Sequence, residues 1–278
     1  MLAVALGLAS SAAWGVADFL GGLKSRSLNL LSVLLVSQAI GLLPLVAIVA
    51  LRGEPIPGGG EPLWAALAGV SGLIGLASFY RGLAVGAMAV VAPISGLAAI
   101  VPVVVGVATG ERPGPAQAVG IAVALTGVVL ASREEVEGGG ARLATGVGFA
   151  LLSALGFGGF FVGLDAGAEA DLWWGLLFVR GTSFGLILLI AAAYRPPGRL
   201  TRGDAGALVA IGLLDVSANG LFAAAANEGL VSVVAVLGSL YPVVTILLAW
   251  AVLHERVRRV QQVGIAVVLT GVALIAAG

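Results

Sequence analysis

The chain consists of long apolar runs, separated by short stretches that contain charges, prolines or glycine clusters. A helix of roughly 20 apolar residues, at about 1.5 Å per residue, is long enough to cross a bilayer. Only 10% of the residues are charged and 60% are hydrophobic, whereas a soluble domain carries about 25% charged residues. The sequence therefore predicts an all-α integral membrane protein.

Ten membrane-spanning helices are predicted when the apolar runs are divided at these polar stretches. The first run has no basic start and no convincing cleavage site, so we expect a retained helix rather than a signal peptide. The fourth and ninth spans contain Pro93, Pro102 and Pro242, which should kink or interrupt them. The spans are expected near residues 2–23, 28–51, 62–85, 88–109, 115–132, 142–164, 171–194, 204–227, 231–253 and 259–277.

The same apolar stretch occurs twice in the chain. Residues 117–130 read QAVGIAVALTGVVL and residues 261–274 read QQVGIAVVLTGVAL, with eleven of fourteen positions identical at an offset of 144. The start of the chain repeats too: GLASSAAWGVADFLGGL from Gly7 aligns with GFALLSALGFGGFFVGL from Gly148, at an offset of 141. The chain is therefore interpreted as a duplicated five-helix unit.

The most polar internal stretch lies between the two copies. It predicts a first repeat over residues 1–132, a linker over 133–142 and a second repeat over 143–278. Because each repeat has an odd number of spans, the second copy must enter the membrane from the opposite side, giving an inverted repeat. Loops rich in lysine and arginine favour the cytoplasm. The loops that are richer in these residues, such as the one with Lys24 and Arg26, lie on the same side as the linker. The linker is therefore predicted to lie inside and both termini outside.

A short motif in each copy resembles the drug/metabolite transporter superfamily, EamA type. Each copy has Glu-Arg followed by Gln-x-x-Gly-x-x-x-x-x-x-Gly-Val, starting at Glu111 and at Glu255. The resemblance extends from Ala5 to Leu274 and includes the first span, which looks like that of bacterial members. It implies export or exchange of small polar metabolites across the cell (inner or plasma) membrane, through a cavity lined mainly by spans 1, 3, 4, 6, 8 and 9.

Two charged residues fall near the middle of predicted spans, where charges are rare and commonly functional. Arg180 matches an arginine that the resemblance implies in the second span of each half, whereas the aligned position of the first half is Gln38. Arg180 and Asp215 lie at similar depth, so they can form a structural ion pair or serve substrate or proton coupling; the remaining alternative is that they do not touch. Asp215 is the better coupling candidate, because a carboxylate can titrate where arginine cannot.

Trp14 and Asp18 lie four residues apart, on one face of the first span. Together they suit an amine or an amino acid, through cation–π and ion-pair contacts. The alternatives are a tryptophan facing lipid and an aspartate reaching interfacial water. The glutamates Glu111 and Glu255, at the ends of spans 4 and 9, suggest loop or gating contacts. The predicted substrate-binding residues are Trp14, Asp18, Gln38, Arg180, Asp215, Asn219, Ser239 and Tyr241.

These features predict a secondary transporter that works by alternating access, with amino acids as the foremost substrates. A multidrug exporter and a passive channel or facilitator remain alternatives. An intramembrane enzyme is disfavoured because the chain has one histidine, no cysteine and no H-E-x-x-H motif. No cofactor, metal or nucleic acid is expected, and no ATP-binding motif is present. The expected partners are a small-molecule substrate, the lipid bilayer and a proton or counter-substrate; the glycine-rich faces would also suit a homodimer.

Overall fold

The computed structural model describes residues 2–108, 114–131, 133–136, 140–194, 200–228, 234, 237–238, 240–255 and 259–277. Nearly all of these residues are helical. The helices are α1 (Leu2–Ser27), α2 (Leu30–Arg52), α3 (Glu61–Val85), α4 (Met88–Ser95), α5 (Ile100–Ala108), α6 (Pro115–Ala131), α7 (Val147–Ala168), α8 (Leu172–Tyr194), α9 (Arg202–Glu228), α10 (Tyr241–Leu253) and α11 (Arg259–Ala277).

Six helices, α1 to α3 and α7 to α9, are long and apolar enough to cross a membrane. Four shorter apolar segments lie in α4 and α5 together, in α6, in α10 and in α11. Large apolar side chains such as Leu155, Leu189 and Trp250 are exposed on the outside of the bundle, as a lipid-facing surface requires. The predicted helical membrane fold is thus confirmed in its class, with six clear spans and four shorter segments.

The structure adds detail at the linker and at the start of the sixth span. The linker contains a two-stranded antiparallel hairpin, β1 (Arg133–Val136) and β2 (Gly140–Leu143), which pairs backbone groups that a bare linker would leave unpaired. The sixth span, predicted from residue 142, begins at Val147. Gly146, just before it, has a φ of 93°, which glycine adopts without steric cost.

The predicted fourth span is not one continuous helix. Helices α4 and α5 are separated by a 3-10 turn over Gly96–Ala99. Pro93 lies inside α4, and the turn follows it by three residues. Helix α10 likewise begins at Tyr241, with Pro242 in its first turn, where the missing N–H is tolerated. The expected interruptions of spans 4 and 9 are therefore present.

The two copies of the repeated stretch pack directly against each other, α6 on α11. A Cβ atom on Gly127 would lie within 2.5 Å of the Val268 backbone, and one on Gly271 within 2.5 Å of the Ala124 backbone. Gly127 corresponds to Gly271, and Ala124 to Val268, at the same offset of 144. Such reciprocal contacts define a pseudo-two-fold axis. The stretch is repeated closely because each copy must fit the other.

The remaining long helices obey the same pseudo-symmetry. Helix α1 packs on α9, where Ser10 donates a 2.8 Å hydrogen bond to the Ala218 carbonyl oxygen. The equivalent pair is α7 on α3, where Ser71 donates a 2.9 Å hydrogen bond to the Gly156 carbonyl oxygen. Helices α2 and α8, which are each other's equivalents, also pack together. The axis therefore passes between α2 and α8 and between α6 and α11.

The two ends of the bundle carry different polar contacts. At the linker end, where α1 finishes and the hairpin lies, Lys24 pairs with Asp204 at 2.8 Å. At the opposite end, called here the terminal end, Arg52 at the end of α2 pairs with Asp171 at 2.7 Å. Asp171 also caps α8, because it accepts hydrogen bonds from the backbone N–H groups of the following turn.

Candidate functional site: a central cavity between the two halves

A cavity of about 590 Å³, measured together with its opening, lies at the centre of the bundle. Helices from both halves enclose it. Its lining residues are Trp14, Asp18, Gln38, Gly72, Leu76, Phe157, Phe160, Phe161, Val179, Arg180, Ser183, Asp215, Asn219 and Tyr241.

The cavity brings together most of the residues that the sequence singled out. Seven of the eight predicted binding residues line it: Trp14, Asp18, Gln38, Arg180, Asp215, Asn219 and Tyr241. Ser239 lies outside the described residues. Trp14 is 8% exposed and Asp18 5%, so neither faces lipid or interfacial water. That these side chains bind a substrate stays a prediction.

A buried network of three polar side chains crosses the cavity. The Arg180 guanidinium donates one hydrogen bond to the Gln38 side-chain oxygen and forms an ion pair with Asp215. Arg180 is 5% exposed, and its guanidinium group also lies beside Gly41 of α2. The ion pair expected between Arg180 and Asp215 is therefore formed.

Gln38 and Arg180 occupy equivalent positions of the two repeats, at an offset of 142. Two equivalent groups touch only where they lie close to the pseudo-two-fold axis. The direct hydrogen bond between them therefore places the cavity on that axis. The contact also explains why the first repeat has Gln38 and not an arginine equivalent to Arg180. Two guanidinium groups at these positions would touch as like charges.

Asp18 differs from Asp215 in its surroundings. In the part of the chain that the structure describes, the Asp18 carboxylate forms neither an ion pair nor a hydrogen bond. It interacts electrostatically with Asp215 and with the phenol groups of Tyr80 and Tyr241. The Tyr241 hydroxyl is buried and has no hydrogen-bond partner among the described residues. The cavity thus holds two polar groups whose bonding capacity is unused.

Aromatic side chains bound the cavity on the side of the terminal end. Trp14 packs on Phe222 with ring centroids 5.5 Å apart, and Phe161 stacks on Phe222 at 5.6 Å. Trp14 and Phe161 meet edge to face at 6.3 Å. These three rings, the terminal-side triad, come from α1, α7 and α9.

A second group of rings bounds the cavity on the side of the linker end. Phe79 meets Phe157 at 5.7 Å and Tyr241 at 5.9 Å, both edge to face. These rings, the linker-side triad, come from α3, α7 and α10. Phe79 and Phe222 are equivalent residues at an offset of 143. The cavity therefore has an aromatic boundary of similar construction at both ends.

Sequence reasoning missed the phenylalanines of α7. Phe157, Phe160 and Phe161 all line the cavity. Their spacing of i, i+3 and i+4 places them on one helical face, and this pattern is the signal that could have identified them. The lining expected from the family resemblance also needs correction. Spans 2 and 7 contribute through Gln38 and Arg180, whereas span 4 contributes no lining residue within the described part of the chain.

The fold and the cavity define a multi-pass helical membrane protein made of two related halves, around a largely apolar central cavity that contains a few buried polar side chains. The model of the EamA-like transporter family matches residues 1–133 and 144–277. The chain therefore belongs to the EamA-like transporter family, and the resemblance inferred from the sequence is confirmed.

Comparison with other proteins adds support for the fold alone. No curated protein matches the chain. Fifteen chains of solved structure match it. One crystal structure superposes with a TM-score of 0.66 at 18% sequence identity, covering 98% of this chain and 95% of that one.

Proposed function

We propose that this protein is a secondary transporter that exports or exchanges small metabolites by alternating access. In this proposal all ten apolar segments cross the membrane, as two inverted repeats of five. The observation that carries it is the cavity on the pseudo-two-fold axis, lined from both halves and crossed by the Gln38–Arg180–Asp215 network. Transporters built from inverted repeats bind their substrates at such an interface.

The packing of α6 on α11 supports the inverted arrangement. Each helix is the last of its repeat, and the reciprocal contacts of Gly127 and Gly271 relate them by a two-fold rotation. The positive-inside rule then places the linker end in the cytoplasm of a plasma membrane and both termini outside. Alkaline phosphatase fused after Gly278, which is active only outside the cytoplasm, tests this orientation. A fusion that is expressed but inactive would indicate the opposite orientation, with the C-terminus in the cytoplasm.

Alternating access requires that the two ends of the cavity open and close in turn. At the linker end, α1 approaches α3 closely, because Gly21 lies against the Tyr80 ring and Gly22 against Leu83. Arg26 donates hydrogen bonds to the carbonyl oxygen of Leu83, at 3.2 Å, and to that of Gly86. At the linker end, α1 and α3 are therefore packed closely, which in this proposal restricts access to the cavity from that side.

The carboxylate of Glu255 adds contacts at the linker end. It pairs with Arg26 at 2.8 Å and accepts a hydrogen bond from the backbone N–H of Ala89. These contacts tie the end of α10 to α1 and α4, which is compatible with either of the two roles expected of Glu255, a loop contact or a gating contact. The equivalent Glu111 lies outside the described residues.

At the terminal end the equivalent helices, α7 and α9, meet through the stacked rings of Phe161 and Phe222. Val162 and Gly163 occupy the positions equivalent to Gly21 and Gly22. Gly163 lies against Ala68 of α3, whereas Gly22 lies against Leu83 and Met88. The two ends thus differ although the repeats are similar, which supports a rocking motion that exchanges the two arrangements.

Transport into proteoliposomes tests this function. Vesicles preloaded with a mixture of amino acids, amines and other metabolites should take up labelled substrate in a saturable manner, faster than empty vesicles. The variant Arg180→Gln should lower this uptake strongly, while Arg81→Gln, at an exposed site near the end of α3, should not. Non-saturable uptake without stimulation by internal substrate would indicate a passive facilitator. No uptake of any compound would contradict the proposal.

A further inference from the structure

We propose that the cavity selects organic monocations, and that Asp18 is the counter-ion for the cationic group. This inference rests on the proposed transport function and deepens it. It follows from the balance of charge in the cavity, from the rings around it and from the unused bonding capacity of Asp18 and Tyr241.

The charge balance comes first. The cavity is lined by two acidic side chains, Asp18 and Asp215, and by one basic side chain, Arg180. Arg180 and Asp215 form a buried ion pair and neutralise each other. Asp18 has no cationic partner among the described side chains, and a buried carboxyl group without one is held neutral, because an unpaired buried charge is costly. A cation entering the cavity would supply that partner, so Asp18 could give up its proton to solvent and pair with the cation as a carboxylate.

The same balance disfavours a zwitterion or an anion. A substrate carboxylate would need a free cationic donor, and Arg180 already donates to Gln38 and to Asp215. Breaking the Arg180–Asp215 pair to reach a substrate would leave Asp215 unpaired. Amino acids should therefore bind more weakly than amines that carry the same side chain.

The walls of the cavity favour an apolar or aromatic body on the cation. Trp14 lies four residues before Asp18 on α1, so both side chains project from the same helical face. Phe157 and Phe161 face the cavity from α7. An aromatic face attracts a nearby cation through its quadrupole, by about 0.5–2 kcal/mol in proteins. A carboxylate bordered by rings is thus a receptor for an ammonium group.

Tyr241 supplies a second polar contact. Its hydroxyl is buried, lines the same cavity and has no described hydrogen-bond partner. It also lies close enough to Asp18 to interact with it electrostatically. A hydroxyl can accept a hydrogen bond from the same ammonium group that pairs with Asp18. Tyr241 would therefore position the cation rather than provide its counter-charge.

Binding of three compounds that share one aromatic body tests the inference. 2-Phenylethylamine is a cation, phenylalanine a zwitterion and 3-phenylpropionate an anion. Equilibrium binding of each labelled compound to the purified protein in lipid nanodiscs should rank the amine first and the anion last. Asp18→Asn should weaken binding of the amine by about 30-fold or more, the usual effect of removing one partner of a buried charge pair. Asp18→Glu should restore a measurable part of it.

The matched control is Asp165→Asn. Asp165 is an exposed carboxylate near the end of α7, so its loss changes the net charge equally without touching the cavity. Tyr241→Phe should weaken binding of the amine while the amine still ranks first. Thermal unfolding of each variant shows whether it is folded.

The outcomes separate the inference from the function on which it rests. Amine binding that depends on Asp18 and not on Asp165 supports it. Tighter binding of phenylalanine, or amine binding that survives in folded Asp18→Asn, overturns it and favours an amino-acid site. If proteoliposomes exchange other metabolites but none of the three compounds binds, the inference fails and the transport function stands. If no compound is transported at all, the transport function itself fails.

Discussion

Gln38 shows how one residue can resolve a conflict that symmetry creates. The equivalent of Gln38 in the second repeat, Arg180, lies directly against it, so an arginine at both positions would bury two like charges in contact. Glutamine keeps an acceptor for the guanidinium and adds no charge. Asp215 then supplies the only counter-charge that Arg180 contacts within the described chain. The two repeats differ at this position because an arginine in both of them would be unstable.

Removing one member of this pair should cost more stability than removing both. Arg180→Met leaves the partly buried Asp215 without a partner, which we expect to destabilise the fold by about 1–3 kcal/mol. The double variant Arg180→Met, Asp215→Leu should recover much of that loss, because no unpaired charge remains. Thermal unfolding followed through the five tryptophans measures both. Equal melting temperatures for the single variant and the wild type would contradict this account.

Asp171 combines two functions that substitution can separate. Arg52 donates two hydrogen bonds to its carboxylate, at 2.9 and 2.7 Å, and the backbone of α8 donates others. Asp171→Asn keeps a good helix cap and removes the ion pair, so we expect a loss of about 0.2–1 kcal/mol. Asp171→Ala removes both and should cost roughly 1 kcal/mol more. Similar losses for the two variants would mean that the cap contributes nothing.

The advantage of wild type over Asp171→Asn should depend on pH. The hydrogen bond from Arg52, helped by those from the backbone, lowers the pKa of Asp171 below its ordinary value of 3.8. Because the pKa of Asp171 is lower in the folded than in the unfolded chain, its ionised carboxylate stabilises the fold at every pH above the pKa of the unfolded chain. This stabilisation is lost as the pH falls through the pKa of the folded chain. The difference in melting temperature should be full at pH 7 and shrink below about pH 4. A constant difference would show that the ion pair does not contribute.

At the scale of elements, glycine determines how closely the helices approach. α6 and α11 meet through Gly127 and Gly271, each against the backbone of the partner helix. Small residues allow such contact, and dispersion and packing then drive helix association where lipid provides no hydrophobic force. Gly185 in α8 borders open space, because a Cβ atom there would meet nothing within 4 Å. Not every glycine of the chain is therefore required for packing.

Substitution by alanine should therefore lower the stability of the fold at Gly271 but not at Gly185. Gly271→Ala forces α11 away from α6 and should lower the melting temperature, with a cost typical of overpacking, about 1–3 kcal/mol. Gly185→Ala meets no neighbour and should leave stability unchanged or raise it, by up to about 1 kcal/mol. Tryptophan fluorescence during heating reports both. A destabilising effect of the same size at both positions would argue against glycine-dependent packing.

At the scale of the whole molecule, the linker end and the terminal end differ in their contacts beyond the aromatic triad that each carries. At the linker end, α1 packs closely on α3 at Gly21 and Gly22, and Arg26 and Glu255 add polar contacts. At the terminal end, the equivalent helices meet through the stacked rings of Phe161 and Phe222. In a transporter, this difference would favour one of the two access states over the other.

Loss of the Arg26 contacts should shift the protein toward the state that opens at the linker end. The Arg26–Glu255 pair is partly exposed, with side chains 31% and 15% accessible, so its contribution should not exceed about 1 kcal/mol, or about fivefold in population. The chain has no cysteine, which permits site-specific labelling. In Arg26→Gln, a cysteine at the buried position Ser25 should react faster with an impermeant maleimide from the linker side.

The same measurement on Arg81→Gln provides the comparison, because it removes one positive charge at an exposed site near the same end. Labelling at position 25 should keep its wild-type rate there. Equal acceleration in both variants would trace the effect to general charge, not to the contacts of Arg26.

The sequence by itself determined the class of the protein, its helices and its duplication. These properties depend on local hydropathy and on internal similarity, both of which can be read along the chain. It also identified seven polar or aromatic residues that the cavity brings together, because charges and breaks in apolar helices stand out. The inverted arrangement and the ten crossings follow from counting spans and stay predictions.

Only the tertiary structure decided how those residues are partnered. Whether Asp18 or Asp215 pairs with Arg180 depends on which helix faces meet across the pseudo-two-fold axis, and no local pattern encodes that. The hairpin at the linker and the two aromatic triads also depend on how the chain folds back on itself. Burial and pairing are properties of packed faces, so the free carboxylate of the cavity became visible only in three dimensions.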